Sequence, residues 1–156
     1  MKRVVFILLA ALLVFTTAYS ADGIEKHEYS LTVNGQNIEL SDLPVPIYEK
    51  DGSVMVTLRK IGEALGYKAD WDEKTGDIII DDEYIQKAVL HDGSENVEFI
   101  GRLKVINMSR EIQNSVPTEI HGGCTYVALE FFREFFNDAS CDGTNINAEP
   151  SKCCID

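Results

Sequence analysis

Apolar residues recur at helical spacing in two stretches of this chain, and strand-like patterns surround both. Residues 56–66, VTLRKIGEALG, and residues 127–137, VALEFFREFFN, each place their apolar side chains on one face of a helix. The hydroxyl of Thr57 is placed to cap the first helix, and Gly66 stands where a left-handed residue ends one. The pattern therefore predicts two short amphipathic helices.

Strand patterns and turn signals flank both predicted helices. The stretch 29–40, YSLTVNGQNIEL, is predicted to be a hairpin, because Asn34-Gly35 is a strong local signal for a type I′ turn. The stretch 67–80, YKADWDEKTGDIII, predicts two strands joined by a polar turn, and the segments around Asp92-Gly93 add further strands. The predicted fold class is α+β, with antiparallel β-sheet wrapped around the two short α-helices.

An internal repeat with an offset of 71 residues relates the two helical stretches. Residues Val45 to Gly66 align without a gap with Val116 to Asn137. Both copies open with Val-Pro, and because proline has no amide hydrogen to donate, Pro46 and Pro117 belong at the entry to a strand. The fold is therefore predicted to use one strand-helix-strand unit twice.

The first copy carries motif segments of a known family. There are three of them, with threonine in place of a proline in the first: Val56-Thr57-Leu58-Arg59, Ala64-Leu65-Gly66 and Trp71-Asp72. On these residues the chain resembles the copper amine oxidase N-terminal domain-like family of bacterial secreted proteins, over roughly residues 29–137. The resemblance implies a non-catalytic accessory or stalk module. It implies no copper or modified-tyrosine cofactor, since these belong to a separate catalytic domain.

The second copy departs further from that family. Ala128 and Glu130 replace the proline and arginine, and no Trp-Asp strand is predicted after Asn137. We expect disulfides to pin the remaining tail where that strand would pack. The predicted organisation is a signal peptide at 1–20, a domain at 21–137 with units at about 29–83 and 97–137, and a cysteine-containing tail at 138–156.

The N-terminus has the features of a secretory signal peptide. Lys2 and Arg3 precede an apolar run from Val4 to Phe15, and small residues follow, so cleavage is expected after Ser20. An uncleaved anchor is the alternative, but the apolar run is short for a span of about 20 residues. No later segment is predicted to cross a membrane. The chain is therefore expected to be secreted, either free outside the cell or held at its surface.

Charge and cysteine content narrow the function classes. The chain has 26 acidic and 14 basic residues, and its net charge of −12 disfavours nucleic acid and anionic lipid as partners. Export favours disulfides among the four cysteines, Cys124, Cys141 and the adjacent C-terminal pair Cys153 and Cys154. Because a bridge within the adjacent pair would be strained, Cys124 and Cys141 are each expected to take one of its members. Both such connectivities stay open.

Two segments are candidates for metal binding. His121 and Cys124 are two possible ligands, but two ligands alone make no zinc or copper site, so a turn with a disulfide is favoured. The carboxylates from Asp70 to Glu83 suggest weak calcium binding, but they lack the EF-hand pattern, so a solvated acidic turn is favoured. The sequence has neither a marked carboxylate pair nor a G-x-S-x-G elbow, so no motif indicates a hydrolase. We therefore assign no catalytic, cofactor-binding or metal-ligating residue.

Aromatic residues are the candidates for partner contact. Phe131 aligns with Lys60, a position that the first copy leaves to solvent, so an exposed phenylalanine there would contact a partner. The alternative is that the tail covers it. Tyr48 is the second partner-contact candidate. Three phenylalanines align with apolar residues of the first helix and are predicted to be core: Phe132, Phe135 and Phe136. Trp71 with the tyrosines suggests a platform for sugar rings, but its place in a strand favours core packing.

The sequence thus predicts an exported, non-enzymatic binding module that acts on a cell-envelope component or a protein partner. A purely structural or self-associating scaffold domain is the alternative, and a small secreted hydrolase comes third. The ligand and the oligomeric state stay open.

Overall fold

The computed structural model describes residues 28–103 and 109–151. This part of the chain forms two short helices, α1 (Leu58–Ala64) and α2 (Glu130–Glu134), and thirteen strands. The strands are β1 (Ser30–Val33), β2 (Gln36–Ile38), β3 (Tyr48–Lys50), β4 (Ser53–Thr57), β5 (Lys68–Asp72), β6 (Asp77–Asp81), β7 (Gln86–Leu90), β8 (Asn96–Gly101), β9 (Arg110–Gln113), β10 (Glu119–His121), β11 (Cys124–Ala128), β12 (Asn137–Asp142) and β13 (Asn145–Pro150). No helix among the described residues is long and apolar enough to cross a membrane.

The strands form three sheets. The central sheet has the order β10-β11-β4-β3, the meander sheet the order β5-β6-β7-β8-β9, and the terminal sheet the order β12-β13-β1-β2. All recorded pairs are antiparallel except β1 with β13, which run parallel. The α+β class with mainly antiparallel sheet is confirmed.

Two of the three local predictions for turns and helix ends agree with the structure. Asn34 (φ 50°) and Gly35 (φ 72°) both adopt the positive φ of a type I′ turn, and the predicted β1–β2 hairpin is present. Gly66 has φ 88° just past the end of α1, as predicted. Thr57 occupies the N-cap position of α1, but the predicted cap by its hydroxyl is wrong, because its side chain makes no capping hydrogen bond.

Two strands follow the second helix where none was expected. β12 and β13 pair along their whole length, from Asn137 opposite Pro150 to Asp142 opposite Asn145. Their buried positions alternate, but small and polar residues separate the apolar ones: Ala139, Ile146 and Ala148 are buried. This weak pattern hides the strands in the sequence. β12 and β13 thus belong to the terminal sheet, whereas residues 152–156 lie outside the described part.

The central sheet is buried on both faces. On one face, Val56 and Val127 join the main core, which includes residues from both helices and all three sheets. On the other face, Met55, Tyr126 and Ala128 form a second, smaller core with Tyr48 and Val116. Successive residues of β4 and β11 thus point to opposite cores, as the two-residue period of a strand requires.

The spacing of the central strands matches the offset of the sequence repeat. β3 and β10 start at Tyr48 and Glu119, and β4 and β11 start at Ser53 and Cys124, 71 residues apart in each case. β4 pairs with β11 so that Val56 lies opposite Val127, its own counterpart in the repeat. Two copies related by a two-fold axis would have this register. The duplication itself stays a prediction, which these spacings support.

Candidate functional site

A polar cluster bridges the two edge strands of the central sheet. We call it the Glu119 cluster: Tyr48, Lys50, Glu119 and His121. The hydroxyl of Tyr48 donates to Oε2 of Glu119 at 2.5 Å, and Lys50 Nζ donates to the other carboxylate oxygen. His121 Nε2 lies 3.0 Å from Glu119 Oε2 and 3.2 Å from the Tyr48 hydroxyl. Because β3 and β10 are the outer strands, these side chains join them across one face of the sheet.

The contacts within this cluster shift the pKa values of Glu119 and Tyr48 in opposite directions. Partial burial acts to raise the pKa of Glu119, but the hydrogen bonds from Lys50, Tyr48 and His121 outweigh burial and bring the pKa down to about 2. Burial, together with the hydrogen bond to Glu119, raises the pKa of Tyr48 well above its usual range. At neutral pH an ionised carboxylate therefore accepts from a protonated phenol. The arrangement holds the two edge strands together.

Both predicted partner-contact residues are buried, which corrects that expectation. Tyr48 is 1% exposed and Phe131 is 0% exposed. The ring of Phe131 packs on Phe99 from β8, with centroids 6.0 Å apart, and on the neighbouring ring of Phe132 at 5.3 Å. A strand of the meander sheet therefore covers the position that Lys60 occupies in the first copy. Phe131 is therefore not available for contact with a partner.

Phe136 was predicted to be core but is 40% exposed. It lies just after the end of α2 with φ 60°, so the chain turns there and the side chain leaves the helical face. The guanidinium carbon of Arg110 lies 5.7 Å from its ring centroid. A bulky residue in the left-handed region is unusual, and it marks local strain.

The residues proposed for metal binding are engaged otherwise. Asp82 Oδ1 accepts from the backbone N–H groups of three residues of its own turn, at 2.7 to 3.0 Å: Tyr84, Ile85 and Gln86. Asp81 accepts from the N–H of Glu83 at 2.7 Å and from Arg102. Among the described residues no group of three His, Cys, Asp or Glu side chains is arranged to hold a metal ion. The acidic stretch is thus a set of carboxylate-stabilised turns.

Cys124 and Cys141 are both half-buried, unbonded thiols. Cys141 Sγ donates to the carbonyl of Gly143 at 3.2 Å, and burial raises the pKa of the Cys141 thiol. The C-terminal pair lies outside the described residues. The predicted disulfides therefore stay predictions.

A groove of about 560 Å³ opens between α1, β5 and the β10–β11 hairpin. Trp71 of β5 lines it with its side chain 42% exposed, so the predicted core packing of this residue is wrong. The reason is that β5 is an edge strand of the meander sheet. Ile78, its partner across the pair, is buried and forms part of the apolar floor. Cys124 also lines the groove.

The cations that line the groove are paired within it. Arg59 Nη1 lies 3.3 Å from Glu63 Oε1 across one helical turn, and both side chains are more than half exposed. Lys60 Nζ lies 2.7 Å from Asp42 Oδ1. The groove therefore combines an aromatic ring with balanced donor and acceptor groups.

Sequence reasoning missed the groove because its walls come from distant segments, with Asp42 and Thr125 at its two ends in the chain. One signal was available. The strand KADWD carries three charged residues in five positions, and charges on a strand mark a sheet edge. A tryptophan in such a strand has no second neighbour to cover it.

The sequence profile of the copper amine oxidase N-terminal domain matches residues 32–145. The chain belongs to the copper amine oxidase N-terminal domain family. The predicted family resemblance is thereby confirmed. Searches of the curated proteins and of the solved structures returned no match.

The match to the copper amine oxidase N-terminal domain extends past the boundary that the sequence suggested at residue 137. It includes β12, which agrees with the packing of this strand in the terminal sheet. The groove and the Glu119 cluster both lie inside the matched range. In this family the N-terminal domain is a non-catalytic domain.

Proposed function

We propose that this copper amine oxidase N-terminal domain is an exported, non-catalytic binding module that contacts a cell-envelope component or a protein partner through its groove. The observation that carries the proposal is the Trp71 side chain, 42% exposed in a groove of about 560 Å³. Large aromatic side chains with one open face supply much of the contact energy in binding sites. Core packing does not explain a tryptophan with this exposure, whereas contact with a ligand does.

The chemistry of the site supports binding and not catalysis. Arg59 and Lys60 are each neutralised by a carboxylate in the groove, whereas Glu119 is not part of the groove lining and is engaged with the other three residues of its cluster. A general acid or base needs a pKa near the working pH, whereas the pKa of Glu119 is about 2. Export rests on the signal-peptide features of residues 2–20, which lie outside the described residues.

Co-sedimentation with insoluble envelope material tests the proposal. We expect the full chain to pellet saturably, and Trp71→Ala to weaken the apparent affinity about tenfold, which corresponds to about 1.4 kcal/mol of lost contact. Tyr84→Ala is the matched control, since Tyr84 is an aromatic residue 80% exposed outside the groove. It should pellet like the unchanged chain.

Circular dichroism checks that both variants remain folded. Pre-treating the envelope material with protease separates a protein partner from a polymer. Equal pelleting of the Trp71→Ala variant and the unchanged chain would refute the groove as the contact surface.

A self-associating scaffold is the second candidate, and an exposed apolar patch favours it. Tyr84, Ile85 and Leu103 are 80%, 38% and 44% exposed at one end of the meander sheet. The N–H of Arg102 donates to the carbonyl of Ile85 at 2.7 Å, which places the two chain segments side by side. Sedimentation velocity over a range of concentrations tests this function. It predicts a rising sedimentation coefficient that Tyr84→Ser abolishes.

A further inference from the structure

We infer that the groove takes an uncharged saccharide, with a sugar ring stacked on Trp71 and its hydroxyl groups bound by Arg59 and Glu63. This inference rests on the proposed function and adds the chemical class of the ligand. It follows from the lining of the groove, from the charge of the chain and from the edge of β5.

The aromatic ring supplies the first half of the recognition. A sugar ring presents a face of C–H groups, which packs on the negative face of an indole. Ile78 and Leu43 add apolar surface beside Trp71. Thr125, which is half-buried, lines the same groove, and its hydroxyl can donate or accept a hydrogen bond.

The Arg59–Glu63 pair supplies the second half. These two side chains are 58% and 55% exposed, and only one contact of 3.3 Å joins them. A surface ion pair of this kind contributes little to stability, so its groups can turn toward a ligand at small cost. The guanidinium offers several donors and the carboxylate two acceptor oxygens, which together match adjacent hydroxyls on a sugar ring.

Charge argues against an anionic ligand. The two cations of the groove are each matched by a carboxylate, and Asp70 adds a further negative charge at its wall. The whole chain carries a net charge of −12. An acidic polymer would therefore be repelled both at the groove and at long range.

The edge of β5 argues against an extended peptide. A peptide that adds to an edge strand needs that strand's outward N–H groups. The N–H of Trp71 already donates to Oδ1 of Asp70 at 2.8 Å. Charged side chains occupy the strand on both sides of this position, at Lys68 and Asp72, and such charges discourage pairing at an edge.

The sequence contains a single tryptophan, so fluorescence excited selectively at tryptophan reports on the groove. The test titrates the full chain with a panel of soluble probes: short β-1,4-linked oligomers of glucose and of N-acetylglucosamine, short α-1,4-linked oligomers of galacturonic acid, and an uncharged extended peptide. We expect at least one of the two neutral sugars to protect Trp71 from acrylamide quenching. The galacturonic acid oligomer and the peptide should leave quenching unchanged.

Arg59→Ala should raise the dissociation constant of the neutral sugar about tenfold, as expected for loss of a charge-assisted hydrogen bond. Arg102→Ala is the matched control, because Arg102 is an ion-paired arginine of similar exposure outside the groove. It should leave the dissociation constant unchanged. An equal effect of both changes would overturn the role of Arg59.

The outcomes separate this inference from the proposed function. If both neutral sugars leave the acrylamide quenching of Trp71 unchanged while envelope pelleting still depends on Trp71, the saccharide inference fails and the binding function stands. Tighter binding of the galacturonic acid oligomer or of the peptide would likewise overturn the inference. Failure of both pelleting and sugar binding overturns the two together.

Discussion

Replacing Glu119 by glutamine removes the one carboxylate that joins the two edge strands of the central sheet. Its oxygens accept from the Tyr48 hydroxyl at 2.5 Å and from Lys50. The pKa of Glu119 falls from the usual 4.5 to about 2 in the folded protein. A carboxyl group with a lowered pKa stabilises the fold fully above its unfolded pKa, and that contribution is lost as the pH falls toward the folded pKa.

The size of the effect follows from that shift. A fall in pKa from 4.5 to about 2 corresponds to about 3 kcal/mol at neutral pH. Solvent screens part of this, because the side chains of Glu119 and Lys50 are 22% and 33% exposed. We expect Glu119→Gln to reduce the free energy of unfolding by roughly 1.5–3 kcal/mol at pH 7. The deficit should shrink to about half of that near pH 3.

Urea unfolding followed by circular dichroism at several pH values between 3 and 7 measures this deficit. Glu98→Gln is the control, since it neutralises an exposed carboxylate on β8. It should change the free energy of unfolding by less than about 0.5 kcal/mol. A deficit for Glu119→Gln that is the same at pH 3 and pH 7 would refute the assignment of the stabilisation to an ionised Glu119.

Three further predictions concern packing, disulfides and backbone strain. In Gly62→Ala the new Cβ would lie 2.7 Å from Ile80 Cδ1, so overpacking should outweigh helix propensity by about 1 kcal/mol. Adding Ile80→Val removes that methyl group, and additive costs in the double-mutant cycle would contradict the clash. Peptide mapping of the unreduced chain by mass spectrometry should find Cys124 and Cys141 each bonded to a member of the C-terminal pair. A disulfide between Cys124 and Cys141 would contradict this pairing. Phe136→Gly should leave the free energy of unfolding unchanged or raise it by up to about 1 kcal/mol, because φ 60° suits glycine; a clear loss in thermal or urea unfolding would show that packing outweighs strain there.

Local signals predicted the parts of the fold that local physics decides. The Asn34-Gly35 turn, the helical periodicity after Val56 and the stop at Gly66 all depend on residues close in sequence, and all three are confirmed. The strands β12 and β13 were not predicted, because they consist largely of small and polar residues and their strand conformation depends on tertiary packing.

The errors at the candidate site have tertiary causes. Phe131 was expected at the surface from its alignment with Lys60, but Phe99, which lies 32 residues earlier, covers it. Trp71 was expected in the core because it lies in a strand. The exposure of a strand residue also depends on whether another strand pairs beside it, and β5 is an edge strand with a neighbour on one side only. The Tyr48–Glu119 contact had a signal that was overlooked. The two residues occupy equivalent positions 71 apart in the repeat.

The parallel pairing of β1 with β13 has a consequence for how the chain acquires its structure. Ser30 lies opposite Asn145, 115 residues later, so the terminal sheet closes over nearly the whole domain. Closing so long a loop costs conformational entropy before its contacts compensate, and such topologies fold slowly. β1 pairs early with β2, but it lacks its second partner until β13 has been synthesised. A chain emerging from the ribosome therefore cannot complete the terminal sheet until residues 145–150 are available, and such a delay would suit the export that we propose.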